Sequence, residues 1–272
     1  MIRTRIIALL LPGYSPCLNW LARALGSDRV VLDDLHSFSR KSRIHRAKLR
    51  TPDGYQWLTI PFVSDDRRMS INQVRIDDRR PWLNHHLRAL EFNYRNSLYF
   101  DYYEPEIRSD LVEAGESGLL IDAVRHLMHR QWIYLQLPGF PEWASEHFQS
   151  QTDLYQSICY LQDDRLTESS DKIYPKPGPD DIDHVPHTES LRPTFHKTIW
   201  QEPDSRNFQK PHPAAVQPAF THPEYRQHFP GFVPGCSILD LLFEYGPDAW
   251  QVLDYLTSII RPDNTSSPTN KR

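Results

Sequence analysis

Residues 29–61 read Arg29-Val-Val-Leu-Asp-Asp-Leu-His-Ser-Phe-Ser-Arg-Lys-Ser-Arg-Ile-His-Arg-Ala-Lys-Leu-Arg-Thr-Pro-Asp-Gly-Tyr-Gln-Trp-Leu-Thr-Ile-Pro61. The apolar run Val30, Val31, Leu32 stops at two carboxylates, Asp33 and Asp34. A half-buried strand that delivers acids at its carboxyl end is where open α/β sheets place ligands. Upstream, Ile6 to Leu11 is a second apolar run, closed by Pro12-Gly13, and residues 17–26 are helix formers ending at Gly26. Strand, helix and strand make a βαβ unit, whose crossover is right-handed. The expected fold is therefore α/β, a Rossmann-like open sheet that starts with this unit and carries helices on its faces. The same geometry brings the loop Pro12-Gly13-Tyr14-Ser15-Pro16 beside Asp33 and Asp34, at one rim.

The rest of the stretch changes sign. Arg40, Lys41, Arg43, Arg46, Lys48 and Arg50 follow with no acid between Leu35 and Pro52, so an acidic pair lies next to a basic strip. That juxtaposition suits an anionic ligand, with room for a metal ion. Thr51-Pro52-Asp53-Gly54 is a turn by composition, and Tyr55 to Ile60 reads as a returning strand.

Composition bounds the function. The chain has 272 residues and a net charge of −4, which argues against a general nucleic-acid binder despite the local basic strip. Cys17, Cys159 and Cys236 are few, widely spaced and odd in number, so neither a disulfide framework nor a zinc cluster is implied. Met1-Ile-Arg-Thr-Arg5 resembles the start of a signal peptide, but the apolar run after it is shorter than a signal-peptide core and far shorter than a membrane span. A cytoplasmic protein with no integral membrane segment is expected. Mean hydropathy is −0.61, so part of the chain is expected to lie outside the packed core.

Further along, Ile71 to Ile76 reads as a strand. Trp82 to Arg95 is an amphipathic helix with His86 on its apolar stripe; a histidine there is more often a core residue than a catalyst. Helices are also expected at 104–112, 118–132 and 153–161, and a short strand at 133–137. His126 and His129 read as solvated. Residues 162–217 are rich in Pro and charge with little apolar periodicity, the composition of a flexible insertion or lid. Four segments result: an α/β core over 1–161, that loose segment, a C-terminal part over 218–260 completing the core, and a disordered tail over 261–272. Within 218–260, Ser237 is an N-cap with Asp240 as its box partner for a helix at 238–244, and Trp250, Leu253, Leu256 and Ile260 are expected to bury a final helix.

The stretch resembles the WbqC-like family. The resemblance rests on Leu32-Asp33-Asp34, on Arg46 and Lys48, and on Thr51-Pro-Asp-Gly-Tyr-Gln-Trp-Leu-Thr-Ile-Pro61. Two further blocks agree: Trp82, His86, Asn93-Tyr94 and Tyr99-Phe100, then His222-Pro-Glu-Tyr-Arg-Gln227 with Phe232, Pro234 and Ser237 to Phe243. Leu11, Cys17 and Ala47 depart from the family's usual residues. The resemblance implies a bacterial enzyme of transferase type in O-antigen and surface-polysaccharide assembly, acting on an activated sugar or acyl donor. His86 or His222 would be the general base, and Asp34 or Asp33 would orient it or hold a divalent cation. Arg46 and Lys48 would neutralise phosphate. Tyr14, Gln56, Tyr225, Arg226 and Gln227 would complete the ligand contacts, with no dedicated metal ligands. The partner is then a small molecule such as a nucleotide-activated sugar or acyl-CoA, not a nucleic acid. A reading of another class is a non-catalytic binding or scaffold protein that retains the fold.

Overall fold

A computed structural model describes residues 5–162, 197–201, 215–216 and 222–260. Strand β1 (Arg5–Leu10), helix α1 (Leu18–Leu25) and strand β2 (Arg29–Leu32) form the expected βαβ unit, with Leu9 beside Val31 and Leu10 beside Leu32 in parallel register. Two-residue β5 (Glu142–Trp143) extends the sheet outside β2. On the other side of β1 lie β6 (Lys197–Gln201) and β7 (Ala215–Val216). The order β5-β2-β1-β6-β7, parallel throughout, is that of a doubly wound sheet: the chain works outward from β1 in one direction and then returns to its other side.

Because side chains alternate along a strand, the sheet feeds two cores. Ala8, Leu10 and Leu32 enter the main one, whereas Ile7, Leu9 and Val31 pack with Ala144 and Leu154 in a smaller one under α5 (Gln151–Gln162). The main core is closed by α2 (Trp82–Tyr94), α3 (Phe100–Gly115), α4 (Leu120–Tyr134), α6 (Ile238–Tyr245) and α7 (Ala249–Ile260).

Residues 46–59 are not part of that sheet. β3 (Arg46–Thr51) and β4 (Gly54–Thr59) form a separate antiparallel hairpin around Pro52-Asp53, so the basic strip is half strand.

Several expectations are corrected. Residues 71–76 are no strand: Ile71–Gln73 is a 3-10 turn, and the Asp66 carboxylate holds the Arg75 amide and guanidinium at 2.8–2.9 Å, leaving only isolated bridges at Arg75 and Ile76. Residues 133–137 finish α4 instead of starting a strand. Gln136 takes φ 52° and the amides of Gln136 and Leu137 bond the carbonyls of Ile133 and Trp132, a Schellman closure. The helix expected at 104–112 already begins at Phe100. Trp250 is exposed, while Leu253 and Leu256 are buried. The side chain of Ser237 makes no capping bond. Within 162–217, Gln162 ends α5, and Lys197–Gln201 and Ala215–Val216 are strands of the main sheet; the remainder of that segment and residues 261–272 lie outside the described residues.

Gly246 caps α6 at φ 50°, and a Cβ there would stand 2.5 Å from the Tyr99 ring. Gly246→Ala is expected to lower stability by about 1–3 kcal/mol through overpacking and backbone strain, read from the urea unfolding midpoint. A variant as stable as the parent would show that Tyr99 moves aside freely.

Candidate functional site

The hairpin sorts its residues by parity. Register pairs Arg46 with Thr59, Lys48 with Trp57 and Arg50 with Tyr55, which puts cations and aromatic rings on one face. Ala47, Leu49 and Leu58 line the other face and are buried. Gln56 pairs with Leu49 on that apolar face, and its amide nitrogen is buried with no hydrogen-bond partner. It therefore does not share a face with Arg46 and Lys48.

Beside the cation-aromatic face opens a cleft of about 920 Å³. Its charged and polar walls come from Arg40, Lys41, Arg46, Arg80, His45 and His85, and its flat walls from Trp57, Phe62 and Trp82. No carboxylate lines it. Arg40 and Lys41 make no ion pair among the described residues, whereas Arg80 lies 3.4 Å from the Asp77 carboxylate. The Arg46 guanidinium is centred 4.9 Å from the Trp57 ring, and its Nε donates to the Ser42 carbonyl at 3.1 Å. His45 is gripped between Phe38 and Phe62, with ring centroids at 5.2 and 5.4 Å. Burial, aided by the Arg46 charge, pulls its pKa down to about 3, so it is neutral. Cations next to aromatic faces, with no carboxylate in the lining, suit an anion attached to a planar ring.

Much of the basic strip serves another purpose. Arg43, Lys48 and Arg50 reach across to the carbonyls of Gly235, Pro234 and Pro230, fastening the loop 222–237 over the hairpin. Lys48 also lies 4.1 Å over the Tyr55 ring, and burial is the main reason its pKa falls below the ordinary lysine value.

The C-terminal residues are organised by a carboxylate that the sequence suggested only as a helix cap. Asp240 is fully buried and accepts from Tyr94 Oη at 2.9 Å, Tyr225 Oη at 2.7 Å and Gln227 Nε2 at 3.0 Å. Tyr94 in turn accepts the Arg50 amide, so one carboxylate ties α2, β3, α6 and the 222–237 loop together. Tyr225 and Gln227 are thus bonded to the protein itself. Arg226 lies outside this network, on the Glu244 carbonyl at 2.7 Å. Both ring nitrogens of His222 meet backbone: Nδ1 the Pro223 carbonyl at 2.9 Å and Nε2 the Gly235 amide at 3.1 Å. A signal for Asp240 existed in the sequence, an acid in the first turn of a largely apolar helix, but Tyr94 and Arg50, which it joins to that helix, are remote in the chain.

The expected rim does not assemble. Asp34 is fully buried and receives Arg125 at 3.1 Å and the amide and hydroxyl of Ser145 at 2.9 and 2.5 Å. Asp33 turns toward α5, where Gln151 donates at 3.0 Å and His36 lies 3.5 Å away. Tyr14 belongs to the main core, against α2. Strand alternation explains the separation: Asp33 continues the Leu9 and Val31 side, whereas Tyr14 packs on the side of Leu10 and Leu32. Among the described residues, no three His, Cys, Asp or Glu side chains come together to hold a metal ion. His126 is not simply solvated, lying 3.6 Å from Asp110 and 3.4 Å from Glu113.

His86 is 1% exposed and lies behind the cleft wall. Its Nδ1 meets the Trp82 carbonyl at 2.8 Å, and burial lowers its pKa to about 4. Together with His45 and Asp240 it makes a pH prediction. A depressed histidine pKa contributes stability that is present above 6.5 and lost as pH falls toward 4 or 3, because the unfolded chain takes the proton first. Asp240 is raised by burial from 3.8 to about 6, and its contribution has the opposite sign: full below 3.8 and lost as pH rises through 6. Between pH 6 and 4 the two histidines lose stability as pH falls while the single Asp240 returns it, so the net effect of the three groups is a loss. Unfolding midpoints against pH should show His86→Gln flattening this slope and Asp240→Asn steepening it. Unchanged slopes in both would mean these groups titrate alike in the folded and unfolded chain.

A 251-residue alignment, 24% identical, joins 92% of the chain to 97% of the uncharacterized protein Rv1507c of Mycobacterium tuberculosis. No solved structure matches the chain. The family model described as the WbqC-like protein family matches residues 12–169 and 202–252, which take in α1 and β2 of the βαβ unit, the hairpin, the cleft and the Asp240 network. The chain belongs to the WbqC-like protein family.

Proposed function

We propose that this protein is a transferase whose donor is held in the cationic cleft by a nucleoside diphosphate, the portion that nucleotide-activated sugars and acyl-CoA have in common. The observation that carries this reading is the acid-free lining, in which Arg40, Lys41 and Arg46 stand beside Trp57 and Trp82. The cations would take the phosphates and an indole face the base. A role in O-antigen or other surface-polysaccharide assembly, in the cytoplasm where such donors are made, is the further extension that the family resemblance suggests. That no helix among the described residues is long and apolar enough to cross a membrane is compatible with it.

The reading is tested by titration calorimetry with UDP-glucose and acetyl-CoA, and with inorganic pyrophosphate as the anion alone. Saturable binding of either donor, at least tenfold tighter than pyrophosphate, supports the reading and chooses the donor class. Equal affinity for donor and pyrophosphate would reduce the cleft to a simple anion site, and absence of binding at millimolar donor would remove the proposal.

A binding or scaffold role is favoured by a different observation: Lys48, His222, Tyr225, Gln227 and Asp34 all spend their polar groups on the protein itself. Tight donor binding with no turnover in the presence of sugar or amine acceptors would select that alternative.

A further inference from the structure

Behind the cleft wall lies a pair of side chains whose polar ends have nothing to bond. Tyr14 and His86 are each 1% exposed, and their rings are centred 5.8 Å apart. Tyr14 Oη and His86 Nε2 are both buried without a hydrogen-bond partner. Leaving one such atom unsatisfied is already costly, and a well-packed core places two of them near each other rarely. The structure also assigns their roles. With the Trp82 carbonyl 2.8 Å from Nδ1, the imidazole hydrogen belongs on Nδ1, so Nε2 is a bare acceptor. Burial raises the Tyr14 pKa well above its ordinary value and keeps its hydroxyl a donor. One acceptor and one donor, on rings centred 5.8 Å apart, are the complement of a single hydroxyl group, which both donates and accepts.

Trp82 stands between His86 and the cleft. Its indole lines the cleft and meets the His86 ring edge to face at 4.9 Å, while Gln131 holds the Tyr14 carbonyl at 2.8 Å and fixes the loop behind it. We propose that Tyr14 and His86 form the inner subsite for the acceptor's hydroxyl, reached when the Trp82 indole swings out of the cleft wall. This rests on the transferase reading of the cleft. In the transfer, the acceptor oxygen bonds to the electrophilic carbon of the donor. Its proton passes to His86 Nε2, and the bond from that carbon to the nucleotide diphosphate or thiolate breaks with the electron pair on the leaving group. Tyr14 keeps its proton and orients the acceptor through a hydrogen bond. Opening of Trp82 would also relieve the burial that makes His86 a weak base in the closed form.

The test compares Tyr14→Phe with the parent protein in three readouts: unfolding midpoint, binding of UDP-glucose or acetyl-CoA, and release of UDP or free CoA with a hydroxylated acceptor. The expected result is an unchanged or raised midpoint, donor affinity within threefold, and release slowed by about 10²-fold or more. His86→Gln should retain donor binding and slow release at least as much. A lowered midpoint for Tyr14→Phe would overturn the inference, because it would show the hydroxyl bonded to something structural, such as a trapped water. Unchanged release would overturn it equally. If the parent protein binds donor but releases nothing, the transferase reading and this subsite fall together; if donor fails to bind at all, the cleft assignment has failed first.

Discussion

Replacing Asp240 with alanine is expected to remove about 3–5 kcal/mol of stability, a large share of what holds a domain of this size folded. The carboxylate is the common acceptor for Tyr94, Tyr225 and Gln227, all buried, and its loss strands every one of those donors. Each buried group left unpaired costs about 1–3 kcal/mol, and partial relaxation keeps the total below the sum. Asp240→Asn keeps the volume and one acceptor oxygen and should cost less, about 1–2 kcal/mol. Urea unfolding measures both. Since the network joins α2, β3, α6 and the 222–237 loop, the loss should appear as one cooperative transition at lower urea. Early release of the loop alone, with the remaining transition in place, would show that the carboxylate anchors only the loop.

Removing the cleft's unpaired cations should act on binding instead of folding. Arg40→Ala together with Lys41→Ala is expected to weaken donor binding by about 100-fold, since each cation makes a charge-assisted contact to phosphate worth about tenfold at an exposed site. Both residues are exposed and without ion pairs among the described residues, so the unfolding midpoint should shift by no more than about 0.5 kcal/mol. The parent's affinity should also fall with salt more steeply than the variant's. A double variant that binds donor as tightly as the parent would mean that the phosphates lie elsewhere. The effects expected at Asp240 and at Arg40 with Lys41 thus divide the polar groups around the hairpin into those that hold the cleft's shape and those that face its contents.

The family resemblance drew Tyr225, Gln227, His222 and Lys48 into one functional list with Arg46, and of these the structure puts only Arg46 in the cleft lining. Chain-local chemistry could not make that distinction, because a carboxylate or carbonyl that consumes a polar side chain can come from any element. Asp240 lies 146 residues from Tyr94, and no spacing rule connects them. His45, one residue before the hairpin, is in the cleft wall, while His86, on a strong helical stripe, is behind it; both are simply histidines next to apolar residues in the sequence.

What the sequence determined by itself is the part of the molecule written in local periodicity. The βαβ start, the parallel sheet, the hairpin turn at Pro52-Asp53 and the stripe on α2 follow from alternation of apolar residues, from 3.6-residue spacing and from turn chemistry, which act over a few residues. The sequence also carried the basic strip, and with it the preference for an anion. Tertiary structure alone decided which cations face the cleft and which clasp the 222–237 loop, sent Asp33 to the face opposite Tyr14, and placed β6 and β7 back beside β1. The reason is the same in each case: strand parity and long-range packing choose a side chain's partners, and a one-residue change of parity sends an identical residue to the opposite face.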